Sequence, residues 1–146
     1  MMLATNKVLA RSELCRDCQA CTLACSLLHE GACSPSLARL RVDKDMARYA
    51  FRISICRHCD TPECVTACPV DAISIDDRGV AILDDEACIR CGSCADACPY
   101  DAIFYDEARD RYFKCDLCAE REDGPLCVAV CPVGALTFDD DAGGEV

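Results

Sequence analysis

Residues 88 to 98 read CIRCGSCADAC and run directly into Pro99. Four cysteines stand at the spacing C-x2-C-x2-C-x3-C, and a proline follows the fourth. Three further groups of four lie along the chain: Cys15, Cys18, Cys21, Cys25; Cys56, Cys59, Cys64, Cys68; and Cys115, Cys118, Cys127, Cys131. The unit repeats. Residues 64 to 76 read CVTACPVDAISID, 94 to 106 read CADACPYDAIFYD, and 127 to 139 read CVAVCPVGALTFD. After each C-P step an alternating segment follows. Ala72 to Asp76 and Val80 to Asp84 flank Asp77-Arg78-Gly79, and Ala102 to Asp106 and Arg111 to Lys114 flank a second polar turn, so both pairs are predicted β-hairpins. Ala38 to Asp43 and Tyr49 to Ile55 are predicted to form another ribbon, and the acidic tail from Asp139 to Val146 is expected to fray.

Seventeen cysteines in 146 residues are about 12 %, above the roughly 8 to 10 % that marks a chain held by sulfur chemistry. Without them the 52 % hydrophobic fraction falls to about 40 %, below the roughly 45 to 50 % of ordinary soluble domains. The apolar core is thin for one domain of this length. Met1 to Leu14 has no apolar run suited to an export signal and no twin arginine. The nearly apolar stretch Val128 to Leu136 is far short of a membrane span. A cytoplasmic protein with no direct membrane insertion is expected, its thiols kept free for metal.

Groups one and three have the spacing of bacterial iron-sulfur ferredoxins, in which three cysteines wrap one cluster and the fourth reaches another. Insertions before the third cysteine of groups two and four enlarge that loop without changing its logic. Structural zinc pairs two C-x2-C knuckles and has no use for triplets followed by C-P. A disulfide framework fits neither the expected compartment nor the odd count. Sixteen cysteines therefore suit four 4Fe-4S clusters, and Cys33 is left as a free thiol. Sixteen thiolates and four oxidised cores of about +2 each carry the formal −11 to about −19. Such a charge excludes nucleic acid as a partner and favours basic docking surfaces.

The four-group order from Cys15 to Phe138 resembles the four-cluster ferredoxin-like electron-transfer subunits of bacterial and archaeal oxidoreductases. The stretch CTLACSLLHEG followed by ARLRV is most similar to the small iron-sulfur subunits of tungsten-containing aldehyde oxidoreductases. The resemblance implies an α+β fold, a duplicated bacterial ferredoxin in one domain spanning 1–146, with short hairpins and short helices. Its pseudo-dyad halves are the inner groups, Cys56 to Cys98, and the outer groups, Cys15 to Cys25 with Cys115 to Cys131. It also implies exchanged fourth ligands. One cluster takes Cys56, Cys59, Cys64 and Cys98, a second Cys88, Cys91, Cys94 and Cys68, a third Cys15, Cys18, Cys21 and Cys131, and a fourth Cys115, Cys118, Cys127 and Cys25. Cys25 departs from the family pattern of the other groups, being followed by Ser26 instead of proline.

The implied function is relay of electrons, without catalysis, between a tungsten or molybdenum catalytic subunit and a flavin, ferredoxin or hydrogenase partner. Complexes of carbon monoxide dehydrogenase, hydrogenase or formate dehydrogenase are alternatives, and copies of the chain stacking into an electron-conducting array is a further association of this kind. A radical enzyme is disfavoured because no three cysteines are spaced C-x3-C-x2-C and no glycine-rich nucleotide loop is present. A redox sensor or assembly protein would need clusters that are easily lost. Arg16, Arg57, His58, Arg90 and Lys114 stand beside ligands and are candidates for tuning potentials, the alternative for each being a solvated charge. His29 and His58 are not needed as ligands beside sixteen cysteines.

Overall fold

The proline after the fourth cysteine sets the length of the helices. A residue before proline is pushed out of the α region, and Cys68, Cys98 and Cys131 have φ near −72° with ψ of 117°, 117° and 112°. Each ends a helix of a single turn or little more: α2 (Glu63–Ala67), α3 (Ser93–Ala97) and α4 (Leu126–Val130). Group one lacks that proline. Its helix, α1 (Ala20–Glu30), runs on past Cys25 for another turn and a half.

The computed structural model describes residues 7–59, 62–119 and 121–139; the tail expected to fray lies outside them beyond residue 139. Eight strands complete the fold: β1 (Lys7–Ala10), β2 (Leu40–Asp45), β3 (Ala50–Ile55), β4 (Ile73–Ile75), β5 (Ala81–Leu83), β6 (Ile103–Asp106), β7 (Arg111–Lys114) and β8 (Leu136–Asp139). Among the described residues they form four separate two-stranded antiparallel sheets. The hairpins β4–β5, β6–β7 and β2–β3 are those the alternation predicts, with Ile75 opposite Ala81, Asp106 opposite Arg111, and Asp45 opposite Ala50. The fourth sheet was not predicted. It joins the two ends of the described chain, Lys7 opposite Asp139 and Ala10 opposite Leu136. In the third repeat unit β8 takes its partner from the N-terminal segment.

A two-stranded sheet by itself is marginal in water, and the apolar residues beneath these are few. Leu40, Ile55, Val80 and Leu136 are buried in a core whose remaining walls include Cys25, Cys56, Cys115 and Cys127. A smaller core holds Ile73, Ala81, Ile103 and Cys94. Sulfur and hydrocarbon thus share the interior. Helices pair in the same sense, α1 against α4 and α2 against α3. Ion pairs tie the cysteine loops to the strands: Lys44 to Asp17 at 2.8 Å, Arg39 to Asp116 at 3.3 Å, and Glu30 of α1 to both Arg109 and Arg111 at the β6–β7 hairpin. Among the described residues no helix is long and apolar enough to cross a membrane.

Candidate metal centres

Each group begins with the same backbone bend. The residue before the second cysteine is left-handed in all four, with φ of 58° at Asp17, 44° at His58, 62° at Arg90 and 59° at Leu117. Side chains other than glycine adopt this conformation at a cost of roughly 1–2 kcal/mol, so a repeated use of it reflects what the loop must do. The bend brings an N–H onto the first sulfur: His58 to Cys56 Sγ at 3.4 Å, Arg90 to Cys88 Sγ at 3.4 Å and Leu117 to Cys115 Sγ at 3.3 Å. A second left-handed residue follows each C-P step, Asp71, Asp101 and Gly134. At the first of these the chain returns so that Ala72 N–H donates to Cys68 Sγ at 3.2 Å. Cys25, which lacks proline, receives the N–H of Arg39 at 3.3 Å.

The thiols gather across groups. Cys15, Cys18, Cys21 and Cys131 line one small cavity, walled by Val42, Ile53 and Leu136. Cys88, Cys91, Cys94 and Cys68 line another, walled by Ile73, Leu83 and Tyr112. Cys59 and Cys64 each have the thiols of Cys56 and Cys98 nearby. Cys127 neighbours Cys115, Cys25 and Cys118. In both cavities three thiols come from one group and the fourth from another. Cys33 is exposed and stands apart from these sets.

Burial, with crowding by other thiols, pushes Cys21 and Cys94 up to about 11 and Cys115 to about 12, and it raises Cys127 as well. Burial also acts to raise Cys131, but N–H groups of Val133, Leu136, Ala135 and Gly134 outweigh it and bring that thiol below its ordinary value. Exposed Cys91 is lowered by the Ser93 hydroxyl at 3.4 Å. Thiols held neutral side by side become ligands only when a cation replaces their protons. The donor set and its N–H partners fit an iron-sulfur cluster. Among the described residues no three His, Cys, Asp or Glu side chains converge tightly enough for one metal ion. Zinc would draw its sulfurs to within about 2.3 Å of one point, whereas a cubane offers four irons at separate corners.

The residues beside the ligands divide into two kinds. Arg16, Arg57 and Arg90 are exposed, but His58 and Lys114 are not the solvated charges that the alternative reading would make them. His58 is buried, accepts the Ala81 N–H at Nδ1 (3.0 Å), and is held down to about 3 by burial and then by Lys114. Lys114 is buried too, donating through Nζ to the carbonyls of Ala81 and Cys115 at 2.5 and 2.8 Å. His29 Nε2 lies 3.5 Å from Cys118 Sγ. The helical run from Cys21 to His29 could have pointed to that contact, since it carries His29 one turn beyond Cys25.

Gly92, at the head of α3 within group three, is left-handed (φ +79°), and a Cβ there would lie 2.8 Å from Tyr112 Oη. Gly92→Ala is expected to cost about 1–2 kcal/mol. Visible cluster absorption in this variant should bleach several degrees below the wild type on heating. Unchanged bleaching would show that Tyr112 and the loop yield freely.

Thiolate-rich cavities on short hairpins, with backbone donors turned onto the sulfurs, define an iron-sulfur electron-transfer protein carrying four 4Fe-4S clusters. The chain belongs to the 4Fe-4S dicluster domain family, whose model matches residues 47–141, and residues 12–27 match a 4Fe-4S binding domain. It is an electron carrier and not itself an enzyme. A putative electron transport protein of Escherichia coli K12, YsaA, is 37 % identical over 139 residues, covering 88 % of this chain and 86 % of that one. The thiosulfate reductase electron transfer subunit PhsB of Salmonella typhi is 31 % identical over 134 residues, covering 85 % and 70 %. The active site complex BamBC of benzoyl coenzyme A reductase contains a chain of similar fold, with 25 % identity, a TM-score of 0.57, and coverage of 94 % and 80 %.

Proposed function

We propose that the chain relays electrons for a catalytic oxidoreductase subunit, through four clusters held by exchanged fourth cysteines. The ligand sets are Cys15, Cys18, Cys21, Cys131; Cys115, Cys118, Cys127, Cys25; Cys56, Cys59, Cys64, Cys98; and Cys88, Cys91, Cys94, Cys68. The observation that carries this reading is the order of thiol neighbours. Cys127 has the thiol of Cys21 nearby, Cys115 has that of Cys56, and Cys94 has that of Cys64. These contacts link the sets in a line, outer to inner. The pairing of α1 with α4 and α2 with α3 supports a duplicated, two-halved domain over 1–146.

A bound 4Fe-4S cluster supplies a one-electron couple whose added charge is shared among its irons and sulfurs. The chain's part is to hold that charge in place. N–H groups of His58, Ala72, Arg90 and Leu117 stabilise negative sulfur, and buried Lys114 places a positive charge between β5 and group four. Ile53, Ile73 and Leu136 limit water beside the sets. Cys18 and Cys91 are exposed, one in each terminal set, so electrons enter and leave at opposite ends. Exposed Val133 near the first and Ile89 beside the second offer apolar contact to a partner.

The catalytic partner we assign is a tungsten or molybdenum aldehyde oxidoreductase in the cytoplasm, with a flavin, ferredoxin or hydrogenase partner at the other end. The CTLACSLLHEG stretch supports it. That stretch forms α1, which exposes Leu23, Leu27 and Leu28 beside the outer groups as a docking face. Purification of the native complex with metal analysis tests the assignment. Tungsten or molybdenum in stoichiometric amount is the expected result, and nickel or a metal-free partner would overturn it.

A further inference from the structure

A cavity of about 430 Å³ opens between β1 and β3, within the roughly 300–1,000 Å³ of small-molecule sites. β1 pairs with β8 and β3 with β2, so these two strands meet across the gap without pairing to one another. Of the described cysteines Cys59 alone lines it, so the cavity borders one cysteine set without enclosing it.

Its lining runs against the character of the chain. Lys7, Arg52 and Arg57 line it, and among the described residues no carboxylate does, in a protein of formal charge −11. Arg52 is only loosely engaged, 3.9 Å from exposed Asp101. Arg57 is steadied by the Tyr100 ring, 4.2 Å away, which lines the same cavity. Ser54 and His58 also line it and are 4 % and 2 % exposed. Neither Ser54 Oγ nor His58 Nε2 has a partner among the described residues. Because His58 Nδ1 accepts the Ala81 N–H, the neutral ring carries its proton on Nε2 and can donate there. A buried polar atom without a partner costs roughly 1–3 kcal/mol, so two of them beside three cations mark a place for an acceptor. Val8, Ile53 and Ile55 supply an aliphatic wall.

We infer that this cavity binds a small organic carboxylate, its head held by Lys7, Arg57, Ser54 Oγ and His58 Nε2–H and its aliphatic body lying against Val8 and Ile55. The test is calorimetric titration of the oxidised four-cluster protein, under argon and at low salt, with hexanoate as the probe and hexanamide as its uncharged counterpart. One saturable site for hexanoate and none for hexanamide is the expected result. Combined Lys7→Gln and Arg57→Gln should weaken hexanoate by roughly tenfold or more, the scale of a charge-assisted hydrogen bond, with cluster absorption unchanged. Should that variant lose its clusters, Ser54→Ala removes one oxygen only and should weaken binding several-fold. The inference is overturned by no saturation below about 10 mM, by equal affinity for hexanamide, or by affinity unchanged in the variants that keep their clusters.

Discussion

Cys131→Ser is expected to alter the cluster bound by Cys15, Cys18 and Cys21, although the changed residue lies at the far end of the chain. Cys131 lines the same cavity as those three thiols and stands near Cys21. Serine is a poorer ligand than a thiolate for iron, so one corner should be weakened or lost while the other three hold. The spectroscopic signature should be a 3Fe-4S form or a shifted potential in one cluster of four. Cys21→Ser should change the signals of that same cluster. Cys25→Ser should instead match Cys118→Ser. Self-contained groups predict the reverse pairing, with Cys131→Ser matching Cys118→Ser, and electron paramagnetic resonance of the four variants distinguishes the two schemes.

Removal of all four clusters is expected to unfold most of the domain. Each sheet has two strands, three of the four α-helices are about one turn long, and Cys25, Cys56, Cys115 and Cys127 complete the core walls. Structural metal sites contribute on the order of 10 kcal/mol each, against a typical domain stability of roughly 5–15 kcal/mol. Without iron, the half-buried thiol of Cys21 and the buried thiols of Cys94 and Cys115 must also be accommodated, each beside the other thiols of its own set. Far-ultraviolet circular dichroism after anaerobic oxidation and chelation should lose most of its native amplitude. Retention of that amplitude would mean that Leu40, Ile55, Val80 and Leu136 suffice to hold the fold.

Much of the local structure was legible because its causes are local. Pro69, Pro99 and Pro132 end three helices at the preceding cysteine, and Ser26 lets the fourth continue, both readable from one residue position. The hairpins β4–β5 and β6–β7 were legible from alternation across a short turn. Their partners lie within a few residues, so little chain entropy opposes the pairing. The strand β8 carries the same alternation, but its partner Lys7–Ala10 lies more than a hundred residues away, and no short-range signal could name it.

The cysteine spacing by itself determined the chemistry: three thiols on a tight loop, a fourth one helical turn further on, and proline to stop the helix there. It is local geometry imposed by covalent bonds and φ, ψ limits. What only the tertiary structure decided is which thiols meet and what lies around them. His58 and Lys114 read as possible surface charges, yet the fold buries both against Ala81, where their polar atoms answer to β5 instead of water. The cationic cavity arises from Lys7 on one strand and Arg52 and Arg57 at another, brought together only because β1 crosses to pair with β8 and leaves its other edge facing β3. Such meetings depend on long-range pairing and packing, which residue spacing along the chain does not encode.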